Sequence, residues 1–505
     1  MTESRQKLVS VGALLFSAIL VGLVISEATY SFKPAWAALV PVAPIAFAWL
    51  FFAIPTVWQK SQSVVQLRNS LLLLVIGLYL LLNYGFMQVR IPLSVSNGIP
   101  LGELVLLFSI ITINFDTMST SLSKTVFLVP FLAWWTLGIG RSFMDAFEYG
   151  FWALRDANHV IESLFLVVGF AFVTRWQELE RFFHWFKWIL IISSIYALGY
   201  PWSETLQSLS PKLVAGAGHE VALFFNYTNT PTLLLLAASY LIFSASRHSI
   251  KELSYATLLL AFTIFMFQTR TIYLQVIAIF VLLALYRRKS LGKTIVVIVA
   301  LYGFVAVISM FGLHFQGRIG EVSLPFLLNH FLAIGGVESE GLEGAARGVP
   351  QRVEWWRDLY QRWTSDASTF LFGMGYGFPL IDFEEHSGIT VREPHNSYIS
   401  VVARLGLSGI VAFLWMHILL LRVWHHSYMA CRRMHWQNGE KQLLLLMIFF
   451  VLLWVHATGE DAFEKPFFAI PYYFFWGIVL RMNWHLRHNF SYDAISLPAA
   501  NGVGG

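Results

Sequence analysis

The chain has 505 residues, of which 57% are hydrophobic and only 12% charged, and its mean hydropathy is +0.63. A soluble protein of this length needs far more charge to cover its surface, so the composition excludes that class and points to a multi-pass membrane protein. The single cysteine, Cys431, excludes an internal disulfide and a cysteine-based metal cluster, and the net charge of +5 gives no reason to expect nucleic acid.

The N-terminal stretch "MTESRQKLVSVGALLFSAILVGLVISEA" places basic residues ahead of an apolar run over 8–26. That run is long for a signal peptide and no A-x-A site follows it, so it is predicted to be an uncleaved first span. Further runs of spanning length follow at 35–57, 70–89, 102–115, 125–140, 159–174, 188–202, 221–245, 254–268, 271–286 and 294–313. After a long polar break come 410–424, 443–457 and 467–480. The expectation is an all-α polytopic bundle of about 12 to 14 transmembrane helices. It divides into an N-terminal bundle (1–313), one large loop with short amphipathic helices (314–395), C-terminal helices (396–490) and a tail (491–505).

The charges orient this bundle. With the N-terminus in the cytoplasm, Lys60/Arg68, Lys124, Arg175/Arg181/Lys187, Arg247/Lys251, Arg287–Lys293, Arg432/Arg433 and Arg481/Arg487 all fall on the cytoplasmic side. Both termini are then cytoplasmic. The 314–395 loop lies outside, in the periplasm if the membrane is a bacterial inner membrane. A loop of this length with little low-complexity sequence is expected to be folded and functional.

Within it, "PQRVEWWRDLYQRW" reads as an amphipathic helix starting at Pro350. Arg352, Trp355, Trp356, Leu359, Tyr360 and Trp363 share one face, which is predicted to lie on the membrane surface. Arg352, on the edge of that face, is a candidate ligand for an anionic headgroup. "LFGMGYG" lacks the strand–turn–helix context of a dinucleotide site and reads as a tight turn.

"VREPHNSYISVVARLG" then leads back into the bilayer. A helix from His395 to Trp424 would be too long for one span, and Gly406 and Gly409 offer the break. His395 is therefore expected at the start of a short interfacial helix, beside Asn396, with Tyr398 one turn on along the same face. Arg270, in "FMFQTRTIYLQ", occupies a tight turn between two apolar helices. An arginine held at that boundary is more often functional or paired than decorative. Nearby outer segments add Arg155, Asp156, His159 and Glu162 in "ALRDANHVIESL" and His219 in "GAGHEV".

These residue types have a chemical meaning together. The planar guanidinium fork suits a diphosphate, and a neutral histidine takes the proton of an attacking hydroxyl. They describe a site at the outer leaflet for a lipid diphosphate donor and a hydroxyl acceptor.

Three stretches resemble the O-antigen ligase and polymerase superfamily of bacterial membrane glycosyltransferases. They are "TRTIYLQVIAIFVLLAL", "RVEWWRDLYQRW…LFGMGYG" and "PHNSYISVVARLGLSGIVAFL". The resemblance implies transfer of a glycan from undecaprenyl diphosphate to a glycan or lipid A-core acceptor, with no metal, cofactor or nucleotide sugar. It implies diphosphate binding by Arg270 with Arg352 in support, activation of the acceptor by His395, and inversion at the anomeric carbon. A flippase or a chain-length regulator would be a fitting protein partner. The family's further arginine ahead of an "FNYTNTP"-like segment is absent here, and His219, Lys212 or Arg155 is left to supply that charge.

Polymerase and ligase share this chemistry and are not separated by the sequence. A lipid-linked-sugar transporter is the reading from another class. It is disfavoured because the marked spans carry almost no charge at mid-depth. A purely structural assembly partner leaves the His395–Arg270 pattern unexplained. His425, His426 and His435 read as cytoplasmic topological charge. Glu460, Asp461 and Glu464 in "GEDAFEKP" are expected outside, where they could bind a cation or line an acceptor groove.

Overall fold

In chain order the protein forms helix α1 (Val64–Met87), a hairpin of β1 (Arg90–Pro92) and β2 (Gly98–Pro100), and helices α2 (Leu101–Ile111), α3 (Leu128–Tyr149), α4 (Phe151–Asp156), α5 (Asn158–Phe172), α6 (Trp176–Ala197) and α7 (Ser203–Leu209). A second hairpin of β3 (Lys212–Val214) and β4 (Glu220–Ala222) precedes α8 (Thr230–Ser244), α9 (Ile250–Phe267), α10 (Arg270–Tyr286) and α11 (Leu291–Met310). The polar break holds α12 (Glu343–Trp363), α13 (Ala367–Phe372) and a short hairpin of β5 (Phe383–Glu384) and β6 (Thr390–Val391). Helices α14 (Ser397–Arg433), α15 (Gln437–His456) and α16 (Pro466–His488) follow. This computed structural model describes residues 64–488 except 93–97, 114–124, 126, 174, 216–218, 246–248, 311–316, 322–325, 327–328, 331–342, 382 and 385–389. The first two apolar runs and the C-terminal tail lie outside the described residues.

The chain is an all-α, multi-pass membrane protein. Among the described residues α1, α9, α14 and α15 are long and apolar enough to cross a membrane, and α6 with its bent continuation through α7 makes a fifth. Among the described residues the apolar runs marked from residue 70 onward fall largely on helices, the exception being the start of 221–245, where β4 and a loop precede α8. Full crossings are fewer than runs, because several runs form short helices. At a rise of 1.5 Å per residue, α2 reaches only about half the hydrocarbon thickness.

Close packing holds the short helices in place. Gly169 on α5 faces the backbone of Phe474 on α16, and Gly477 faces that of Leu166 and Phe170. A Cβ at either would overlap main chain, so this glycine pair sets the α5–α16 contact. Helix α8 is buried almost all round, as its uninterrupted apolar sequence requires. One core joins residues from both sides of the polar break, among them Leu72, Phe170, Leu234, Phe449 and Phe475, so the expected N- and C-terminal bundles share a single core.

Helix α14 is broken where expected. Gly406 takes φ 64° and ψ −159° inside it, and the carbonyls of Ala403 and Arg404 at the break accept from Met374 N (2.7 Å) and Gly375 N (3.0 Å). The three glycines of "LFGMGYG" all have positive φ. The motif expected to be a simple turn thus closes the hydrogen bonds of a broken helix, the condition for irregular backbone inside a membrane bundle.

Helix α12 departs from expectation in two ways. It starts at Glu343, so Pro350 lies inside it. Its apolar face packs on protein: Leu359 is buried with Leu380, Ile381, Val391 and Ala403 in a second small core. Trp356 Nε1 donates to Pro394 O at 2.9 Å and Trp363 Nε1 to Phe370 O at 3.0 Å. Tyr360, expected on the buried face, is exposed.

Cations assigned to the cytoplasmic loops gather at the end of the bundle away from α12. There Arg68 bonds Ala171 O (3.2 Å), Arg481 bonds Val173 O (2.8 Å) and Arg287 pairs with Glu440 (3.2 Å).

Candidate active site

Arg270 is placed by the turn between α9 and α10. The α9 helix ends in a π turn at Phe267, Gln268 takes a left-handed conformation, and Arg270 opens α10. Gln268 is fully buried, and its amide closes that turn. Its Oε1 accepts from Ile319 N (2.7 Å) and Gly320 N (3.0 Å), and its Nε2 donates to Gly320 O (2.9 Å). The segment carrying Arg318 is thereby tied beside Arg270, and both arginines lie within electrostatic reach of buried His330. Tyr273 Oη stands 3.2 Å from His330 Nδ1. Burial first, then Arg270 and Arg318, push the His330 imidazole down to about 4.

His395 sits just before α14 with φ 51°, a left-handed conformation that costs a non-glycine residue about 1–3 kcal/mol. Its neighbours hold it there. Trp356 clamps the preceding Pro394 carbonyl, and the Asn396 side chain caps α14 by accepting from Tyr398 N (3.0 Å) and Ile399 N (3.1 Å). Asn396 Nδ2 also donates to Thr458 O (3.0 Å), and Ser397 N donates to Ala457 O (3.0 Å). These bonds strap the start of α14 to the 457–465 loop.

That loop joins the two sites predicted from sequence. Arg352 Nη1 donates to Gly459 O, and its Nη2 lies 3.6 Å from Glu460 Oε1. The other oxygen of Glu460 lies 3.4 Å from His395 Nδ1, which is equally 3.4 Å from Asp461 Oδ2. Arg352 is close enough to Arg270 to repel it. Gly459 has both Thr271 and Arg352 beside it. Arg270, Arg352, Glu460 and His395 therefore form one continuous constellation at one end of the bundle.

The electrostatics suit that arrangement. Burial alone would raise the Glu460 carboxyl, but His395, Lys465 and His456 override it and hold the group below the ordinary carboxylate range. Lys465 lies 3.9 Å from Glu460. Burial would lower the Lys465 ammonium, yet Asp461 and Glu460 hold it above its ordinary value. Glu464, buried and beside Asp461 and Glu393, is pushed up to about 8.

Tyr84 collects the residues considered for the missing arginine's charge. Its hydroxyl is 3.4 Å from His219 Nε2, and Lys465 and Arg155 are both within electrostatic reach of it. It is positioned by Asn83, whose kink in α1 (φ 52°) is stapled to the "FNYTNTP" loop through Asn229 N (2.9 Å) and Asn226 O (3.0 Å). Arg155 itself stacks on Trp152 at 4.6 Å, with Arg392 4.3 Å from the same ring. Lys212 shares the hairpin of His219.

Arg404 supports the floor of the site. It is 1% exposed, pairs with Glu393 (2.7 Å) and Asp156 (3.1 Å), and donates to Gly375 O (3.1 Å) and Phe378 O (2.8 Å). Asp156 also accepts from Gly377 N (3.1 Å) and Arg392 (3.2 Å). A buried charge network of this kind fixes geometry more than it adds stability.

Of the residues singled out in the sequence, His395, Arg270 and Arg352 come together, while Arg155 and His219 meet at Tyr84. Asn396 and Tyr398 use their polar groups inside the fold: Asn396 as a cap, and Tyr398 by donating to Trp454 O (3.1 Å). The partnership of Glu460 and Asp461 with His395 was not read from sequence, since some 65 residues separate them. Nor was the burial of Glu162 and of the Glu103 carboxyl oxygens, single acids near the starts of apolar runs.

No curated protein matches the chain. Residues 255–414 match the family described as O-antigen ligase, a segment that contains Arg270, Arg352, His395 and all three stretches on which the resemblance was drawn. Over that segment, about a third of its length, the chain is similar to the O-antigen ligase family.

Proposed function

We propose that the protein transfers a glycan from an undecaprenyl-diphosphate carrier to a hydroxyl of a glycan or lipid acceptor, at the periplasmic face of a bacterial inner membrane. The family supports a glycosyl-transferring membrane role. The observation that carries the finer reading is the continuity from Arg270 and Arg352 through Glu460 to His395.

Two guanidiniums that repel one another make a receptor for a dianionic group, which relieves the repulsion. The positive N-terminal end of α10 adds to the attraction. With Glu460 and Asp461 both facing His395 Nδ1, the imidazole keeps a proton there and leaves the Nε2 lone pair for the acceptor. The acceptor oxygen gives its proton to Nε2 and attacks the anomeric carbon from the side opposite the diphosphate. The bond from that carbon to the diphosphate oxygen breaks, and the electron pair leaves on an oxygen that Arg270 and Arg352 stabilise. Inversion follows from the single displacement. The carboxylates then balance the imidazolium.

Deleting the gene and running the cell's surface polysaccharide on a gel tests this. Single-repeat products mark a polymerase, and accumulated lipid-linked long chains mark a ligase. Unchanged surface glycan would contradict the proposal.

A further inference from the structure

The transfer chemistry leaves one set of buried acids unused. Glu162 is fully buried between α4 and the rest of α5, and neither carboxyl oxygen has a hydrogen-bond partner among the described residues. Glu103, in the first turn of α2, likewise buries both oxygens without a partner. The turn carrying Glu162 packs against α2, which brings the two acids within electrostatic reach of each other, and the Tyr79 hydroxyl of α1 accepts from Gly102 N, next to Glu103, at 3.2 Å. A separate element points into the same space. Tyr473 of α16 is fully buried, its hydroxyl has no partner among the described residues, and it lies within reach of Glu162 and of Glu464. Glu464 accepts from Ser397, next to His395, and has Asp461 and Glu393 as its other charged neighbours.

An unpaired buried polar group costs about 1–3 kcal/mol, and a buried unpaired carboxylate far more. Two carboxylates within reach of each other in such a place cannot both be ionised, so at least one carries a proton. Four carboxyl oxygens and a phenol without partners among the described residues are groups that ordered water would satisfy. Two acids are too few to wrap a divalent cation that takes six or more oxygens.

We propose that Glu103, Glu162 and Tyr473 line an internal polar site that binds a proton together with ordered water, and that Glu464 connects this site to the loop beside His395. The site stands on these buried groups without partners among the described residues and on the packing of α2 and α16 against the Glu162 turn. Its use as the destination of the proton leaving the acceptor hydroxyl, by way of His395, Asp461 and Glu464, rests on the glycan-transfer reading.

The test is infrared difference spectroscopy of the purified full-length protein in lipid nanodiscs, titrated from mildly acidic to mildly alkaline pH without substrate. The wild type is expected to keep a deuterium-sensitive protonated-carboxyl band at neutral pH. Against a Glu464→Gln background, which removes the Glu464 carboxyl's own band, Glu162→Gln, which resembles the protonated acid, should remove or strongly reduce the band that remains. Glu103→Gln should leave Glu162 free of its like-charged neighbour and lower its proton affinity by about tenfold or more, so the band disappears at lower pH. If Glu162→Gln fails to fold, Glu103→Gln reports on the same shared proton. Identical titrations in wild type and variants would overturn the proposal. Loss of the wild-type band on adding sodium at fixed pH would overturn it too, reassigning the site to that ion. Because no turnover is involved, this result is independent of whether the glycan-transfer reading stands.

Discussion

His395 Nδ1 and the Glu460 carboxylate stand 3.4 Å apart, with the second oxygen of Glu460 turned toward Arg352. In the proposed mechanism one carboxylate thus orients the base and touches the diphosphate-side cation. Glu460→Gln keeps the shape but loses the charge, and should lower kcat by about tenfold to a hundredfold with little change in KM for donor or acceptor. Glu460→Asp should recover part of it. A rise in KM with unchanged kcat would assign Glu460 to substrate binding instead.

Arg270→Lys should recover little of the activity lost in Arg270→Ala, because a point charge does not replace a planar fork that bonds two phosphate oxygens at once. Transfer assays on the purified variants measure this. Near-wild-type transfer by the lysine variant would reduce Arg270 to a membrane anchor.

Arg404→Met should destabilise the protein by about 3–5 kcal/mol, since Glu393 would be left buried without its cation and Asp156 with Arg392 alone. Thermal unfolding in detergent gives the readout. Adding Glu393→Gln to Arg404→Met should restore part of the loss.

Glu464 makes stability depend on pH in a definite direction. Its folded value of about 8 lies above the ordinary 4.5, so the folded state binds more protons than the unfolded state between those values. Its contribution is fully present below 4.5 and is lost as pH rises through 8. Glu464→Gln should flatten that part of the melting-temperature profile. Glu460 acts in the opposite sense: its contribution is fully present above the ordinary 4.5 and is lost progressively as pH falls below that value.

Much of the bundle was legible because it is written in local pattern. Apolar runs fall on helices, the break in α14 falls at Gly406, and Arg270 sits at a turn. Contacts between distant segments left weaker traces. The alternating glycines of "LFGMGYG" looked like a turn, yet Gly373 has φ 74° and lies against the Arg404–Gly406 backbone of α14. Gly373→Ala should therefore cost about 1–3 kcal/mol in the same melts and loosen the floor of the site. Tyr360 fitted the apolar face of α12 by spacing alone, but that face packs on a small protein core too narrow to cover it. Glu103 was hidden because a single acid barely lowers the hydropathy of a long run, and Glu162, grouped with the charges of an outer segment, gave no sign of its burial.

The division of labour between Arg270 and His395 is tested most directly by single-turnover kinetics with purified protein in nanodiscs and an undecaprenyl-diphosphate-linked glycan, measuring donor binding and transfer separately. Arg270→Ala should lose donor binding, whereas His395→Ala should bind donor as the wild type does and fail to transfer it. Transfer by His395→Ala at the wild-type rate, or full donor affinity in Arg270→Ala, would contradict a shared site.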